Sequence, residues 1–146
     1  MLKISTGLRT AILDSATLRT AMALGKIKIY SGTPPTTADA AIDVSNTLLS
    51  QVSNASSATG LTLGPATAGL IAKSAGEVWS GINVAGGVAT FYRHVTPADT
   101  GALSTTEARV QGLIATSGAE LNLTSVTLAN GATQTIDFYS IALPTL

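Results

Sequence analysis

Proton chemistry near neutral pH has one candidate in this chain. His94 is its single histidine, and imidazole is the side chain whose ordinary pKa lies in that range. It follows Arg93 in the alternating segment Val88 to Val95, so a strand there sends the two side chains to opposite faces. Asp99 lies a few residues on and could orient the ring through a turn. A Ser/His/Asp hydrolase also needs a nucleophile on a sharp elbow. No Gly-x-Ser-x-Gly run exists, and the nearest serine, in Trp79-Ser80-Gly81, lacks the first glycine. His94 is therefore expected to be a half-exposed strand residue, not a catalytic base.

The other chemistry-bearing residues are dispersed. The carboxylates are Asp14, Asp39, Asp43, Glu77, Asp99, Glu107, Glu120 and Asp137. A glycosidase needs two of them about 5–10 Å apart across a cleft, and few aromatic residues are present to stack on a sugar. Asp39 and Asp43 fall short of the oxygen spacing of a calcium loop. Gly60, Gly64 and Gly69 lack the Lys-Ser/Thr ending of a phosphate-binding loop. There is no cysteine, which excludes disulfides, thiolate nucleophiles and thiolate metal sites. Asn54-Ala55-Ser56 and Asn122-Leu123-Thr124 match the glycosylation pattern, with no secretory signal to give it weight. The expectation is no enzyme, no cofactor and no metal.

Composition narrows the classes further. Of 146 residues, 45% are apolar but only 11% are charged, against roughly 25% charged in a typical soluble domain. Eight basic and eight acidic groups cancel. That balance argues against nucleic-acid binding by bulk charge and shows no polybasic membrane patch. A weakly charged, neutral monomer is poorly protected from self-association, so much of the surface is expected to be covered in the working state. No run of about 18 apolar residues exists to span a membrane, and the first residues lack the apolar core of a signal peptide.

The elements that must position these residues change character along the chain. Leu8 to Met22 suits a helix, with Leu8, Ala11, Ile12, Ser15 and Ala16 on one modest face. Ser5 or Thr6 can cap it, Gly25 can end it, and Asp14-Ser15 offers a second cap, so two short helices are equally open. Lys26-Ile27-Lys28-Ile29-Tyr30 then alternates with period two. Further strands are expected at Thr47 to Val52, Leu61 to Leu63, Gly69 to Lys73, Val78 to Val84, Val88 to Val95, Ala108 to Thr116, Leu121 to Leu128 and Thr133 to Leu143. Asn54 to Gly60 reads as a loop and Gly86-Gly87 as a turn. Asn130-Gly131 marks a hairpin between the last two strands, since a type I′ turn needs two residues at positive φ. Eight or nine short strands at this spacing predict an all-β sandwich or barrel.

Three segments carry a resemblance. Gly25-Lys26-Ile27-Lys28-Ile29-Tyr30-Ser31-Gly32-Thr33-Pro34-Pro35, Gly87-Val88-Ala89-Thr90-Phe91-Tyr92-Arg93-His94-Val95 and Thr116-Ser117-Gly118-Ala119-Glu120-Leu121-Asn122-Leu123 are similar to a group of small tailed-bacteriophage virion proteins. The similarity runs from the N-terminal helix through Ile141. The chain departs from the group at Phe91-Tyr92-Arg93-His94, where Trp-Phe-Arg-Ile or similar is expected. The resemblance implies a jelly-roll-like antiparallel β-sandwich of about eight strands. It also implies a capsid decoration or cement role on the outer surface of the phage head, with the major capsid protein as partner and synthesis in the host bacterial cytoplasm.

Residues 1–25 are accordingly expected to form an N-terminal helical arm and residues 26–146 a single β-sandwich domain. Leu8, Ile12, Ala16 and Met22 are the expected partner-binding residues on that arm; the competing reading is a helix closing one open end of the sandwich. Self-association as a dimer or trimer is expected through strand edges or flat Thr/Ala/Val faces. The alternative function is a tail, fibre or baseplate module engaging a host glycan or another virion protein. A glycan-binding module needs exposed rings, and Trp79, Tyr92 and Tyr139 are its candidates.

Overall fold

The computed structural model describes residues 1–142. Its elements, in chain order, are β1 (Lys3–Ile4), α1 (Thr6–Asp14), α2 (Leu18–Ala21), β2 (Lys26–Tyr30), β3 (Leu48–Asn54), β4 (Leu70–Ala72), β5 (Trp79–Ile82), β6 (Gly87–Val88), β7 (Phe91–Val95), β8 (Arg109–Ala115), β9 (Leu121–Asn122), β10 (Thr127–Leu128), β11 (Thr133–Ile136) and β12 (Ser140–Ala142). The protein is all-β with two short helices. One large sheet runs β1-β8-β7-β2-β3-β5-β11, antiparallel throughout, and β9 adds to β8 in parallel. Two ribbons, β6 with β10 and β4 with β12, complete the described strands.

Period-two patterning dictates the two faces. In β2, Ile27 and Ile29 are fully buried and Lys26 and Lys28 turn to the opposite side. Register places Ile27 beside His94 and Val52, and Ile29 beside Tyr92. This face carries the apolar core, closed by Trp79, Leu61, Leu63, Leu121, Leu128, Tyr139 and Ile141. The ribbon β4–β12 is drawn onto it through Tyr139, whose ring meets those of Trp79, Tyr92 and His94 at 5.4, 5.8 and 5.6 Å between centroids.

The opposite face is also covered over its β2-β7-β8 part, which is why all five residues of β7 are buried. The chain from Ser31 to Thr47 and the chain from Thr96 to Ala108 lie across it. Arg93, Arg109 and Gln111 hold them there by hydrogen bonds to the carbonyls of Thr37, Ala40, Ala38, Asp39, Ala102 and Pro35.

Several sequence expectations are corrected by this topology. Asn130-Gly131 does not make a hairpin: β10 pairs with β6, and β11 with β5. Only Gly131 has positive φ there, and Asn83 holds the turn by an amide-to-Ala129 bond of 3.0 Å. Leu61 to Leu63 forms isolated bridges, Gly25 to Leu61 and Leu63 to Lys73. Val88 to Val95 divides at Ala89-Thr90, where the chain leaves the β6–β10 ribbon for the large sheet. Leu121 to Leu128 and Thr133 onward divide likewise, and Leu143 lies outside the described residues.

The N-terminal quarter is not an arm. Two helices form, divided at Ser15-Ala16, with Ser5 and Thr17 as caps. Before them β1 joins the large sheet beside β8. The Ser5 hydroxyl accepts from the Leu8 and Arg109 amides and donates to the Glu107 carbonyl at 2.7 Å. Asp39 accepts from both the amide and hydroxyl of Thr6. Gly7 lies so close to the Thr106 carbonyl that any Cβ would collide with it. Residues 1–25 are thus packed against the β-body through β1, Ser5 and Leu8.

Candidate functional site

His94 is sealed, not half exposed. Its accessibility is 0%, and neither Nδ1 nor Nε2 has a hydrogen-bond partner. Around it stand Trp79, Tyr139 and the close backbone of Gly25. Burial in this apolar setting pushes its pKa down to about 4. Asp99 lies on the other side of the sheet, where its carboxylate pairs with the Arg109 guanidinium, so the suggested His–Asp pairing does not occur. Buried, and without a hydrogen-bond partner among the described residues, the ring is held neutral in an apolar setting and is not coupled to Asp99.

Most of the carboxylates are tied into the fold by hydrogen bonds. Glu77 accepts from the Thr62 amide and hydroxyl and from the Trp79 indole at 2.7 Å. Burial opposes its charge, but the Thr62 and Trp79 bonds outweigh it and hold the carboxyl below its usual range. The Thr62, Trp79 and Lys73 contacts thereby anchor Trp79 at the edge of the core. Asp39, lowered chiefly by the Thr6 hydrogen bond, and Asp43, which accepts from the Ser45 amide, form no pair. Glu120 receives the N-terminal ammonium at 2.8 Å and the Leu113 amide. Among the described residues no three His, Cys, Asp or Glu side chains are grouped to share a metal ion.

The arginine layer is the densest polar cluster. Arg109 is fully buried, paired with Asp99 and bonded to the carbonyls of Ala102 and Asp39 at 2.8 and 3.2 Å. Arg93 donates through Nε to Gln111 at 2.8 Å and through a terminal nitrogen to Ala40 at 2.8 Å. Burial, and then the neighbouring Arg109 charge, bring its pKa down to about 10. Apart from Arg93 Nη1, which has no partner among the described residues, these groups pin loops, and the layer acts as a fastening.

The expected partner-binding residues separate. Leu8 and Met22 are fully buried in the core and unavailable to a partner. Ile12 and Ala16 are half-buried on the outside of the helical corner, where they line a groove of about 410 Å³ with Leu13, Thr17 and Thr20. Leu13 was not singled out by the helical stripe, yet it is 88% exposed. A second, more apolar groove of about 390 Å³ lies on the other flank of α2, between Leu18, Pro65, Leu70, Ile71 and Ile141. The helical corner therefore offers aliphatic surface on two sides.

The three rings assigned to a glycan site are buried: Trp79 and Tyr139 at 1% and Tyr92 at 0%. Desolvation raises both tyrosine pKa values. None of the three can stack on a sugar, so the sequence expectation for those residues is overturned. Comparison of the chain with protein-family models, curated proteins and solved structures finds no match.

Proposed function

We propose that this protein is a contact protein of a bacteriophage particle, a decoration or cement protein that binds the outer surface of the head. It does so by laying its helical corner on the major capsid protein. The observation that carries the reading is the aliphatic surface of that corner: Leu13 stands almost fully exposed between half-buried Ile12 and Ala16, beside a groove whose single charged lining residue is Asp14. A β-body held by core and arginine layer keeps that surface rigid, and rigid presentation lowers the entropy cost of docking. The resemblance of three segments to phage virion proteins points the same way. The sealed histidine and the carboxylates spent on structure favour contact over catalysis. Many copies on equivalent sites stabilise a shell by mass action and buried area.

Mass spectrometry of purified particles tests the proposal. Hundreds of copies in fixed ratio to the major capsid protein are expected. A handful per particle moves the protein to the tail, and absence from particles overturns the reading. The L13D variant, folded but unable to bind heads stripped of this protein, localises the contact to the corner.

A further inference from the structure

We propose that the open edge of β11 is the self-association surface of this protein, pairing antiparallel with β11 of a second copy across a two-fold axis at Gln134. Among the described residues β11 is the last strand of the large sheet and is paired on one side only, with β5. The Asn83 amide donates to the Ala132 carbonyl at 2.9 Å. In an antiparallel ladder hydrogen-bonded positions alternate. Gln134 opposite Gly81 and Ile136 opposite Trp79 therefore face β5, while Thr133 and Thr135 turn their amides and carbonyls outward. The Thr135 carbonyl accepts the Gln134 side chain at 2.7 Å and keeps a second lone pair.

Sheet edges are normally blunted by lysine, proline, inward charge or extreme shortness. β11 reads Thr-Gln-Thr-Ile and has none of the first three. Thr133 and Thr135 are exposed and β-branched, suited to cross-strand packing. The far edge is different: β1 is two residues long, and the ammonium group just before it is tied to Glu120. Head-to-tail addition of β1 to β11 is thereby disfavoured, which leaves the isologous pairing.

The symmetry is self-consistent. An axis at Gln134 sets Thr133 of one copy opposite Thr135 of the other, in two hydrogen-bonded pairs. Asp137 then falls opposite Gly131 of the second copy, so no like charges meet. Phe138, 73% exposed, is brought to the partner's turn at Ala129–Ala132. The large sheet becomes continuous through two copies. This pairing is a property of the isolated chain and does not rest on the capsid reading.

Sedimentation equilibrium of the full chain tests it. The apparent mass should rise with concentration from 14.7 kDa towards twice that value. Thr135→Pro removes an outward amide while leaving the β5 ladder intact; it should keep the circular dichroism of the parent and weaken association by about tenfold or more. Should that variant not fold, T133K/T135K decides, since it sets like charges opposite each other at unchanged backbone. In the parent dimer, hydrogen exchange at the Thr133 and Thr135 amides should slow with concentration. A chain that stays monomeric at millimolar concentration overturns the proposal. So does a dimer that folded variants leave untouched, or an edge that takes up an unrelated extended peptide and not a second copy.

Discussion

His94 makes acid sensitivity a residue-scale property. The folded protein holds the ring neutral, with a pKa of about 4, whereas the unfolded chain binds its proton near 6.5. Below 6.5 the unfolded state therefore takes up more protons than the folded one. The stabilisation due to neutral burial is complete above pH 6.5, declines as pH falls, and is exhausted near pH 4. About 2 kcal/mol of stability should go between pH 7 and pH 5. The lowered carboxylates Asp39, Asp43, Glu77 and Glu120 are largely ionised in both states across that window, because their ordinary values are 3.8 and 4.5, and they add only a small loss in the same direction. Urea unfolding of the parent at the two pH values should show the loss, and His94→Leu should flatten it; equal parent stability at both would refute the neutral-burial account. Arg109 and Asp99 make a second residue-scale case. Removing one member of a buried ion pair strands the other charge, at a cost of about 3 kcal/mol. Asp99→Leu and Arg109→Met should each be destabilising to that extent. The double variant should be less destabilised than the sum, because neither member of the pair is left stranded; additive losses in denaturant melts would contradict the pairing.

At the scale of elements, what was legible depended on whether the signal was local. Lys26 to Tyr30 announces its strand because alternation alone separates Ile27 and Ile29 from the lysines, and the strand forms there. The Ser5 cap of α1 was within reach for the same reason, a hydroxyl three residues ahead of the amide it receives, whereas the second cap, expected at Asp14-Ser15, is Thr17, and Ser15 instead ends α1. Pairing was not legible. Asn130-Gly131 carries the strongest hairpin signal and makes none, since Asn83 captures the turn and the flanking strands join different sheets. Two other pairs of consecutive residues do take positive φ: Ala55-Ser56, with the Ser57 amide bonded to the Asn54 carbonyl, and Ala68-Gly69, where Thr67 and Leu70 exchange both backbone bonds. The types of Ala55 and Ser56 give no hint of it. The arginine layer was invisible too, because Arg93 and Arg109 meet their carbonyl partners across tens of residues. The helical face was read as a stripe to be presented, yet Leu8 belongs to the core because Ser5 and β1 lock the helix start against β8. Removal of residues up to Leu24 should therefore leave an insoluble or cold-unfolding chain. It takes out Leu8 and Met22, each a large side chain whose loss from a core costs about 2–5 kcal/mol. A truncated protein that melts like the parent would return these residues to the status of an arm.

For the whole molecule the decisive quantity is how little charge reaches the surface. Eight basic and eight acidic groups serve 146 residues, and Arg93, Arg109 and Asp99 are buried among them. What remains, six basic and seven acidic groups, nearly cancels, so two copies approach with little net field to steer or repel them. At the β11 edge and the helical corner threonine hydroxyls, backbone amides and aliphatic side chains predominate, among them Thr133, Thr135, Ile12 and Leu13, with Arg9, Asp14, Arg19 and Asp137 the nearby charges. Ion-pair interfaces weaken as salt shortens the screening length from about 30 Å to about 3 Å. Apolar and backbone-paired interfaces do not; they tighten in salts that are excluded from protein surface. Both self-association and attachment to the head should then change by less than about threefold between low and high sodium chloride, and should strengthen in sulfate. Sedimentation of the isolated chain reads the first, and retention of the protein on stripped heads after washing reads the second. Steep dissociation with sodium chloride in either experiment would mean that the few surface charges govern contact after all, and would move the interface to the lysine-bearing parts of the molecule around Lys3, Lys26 and Lys73.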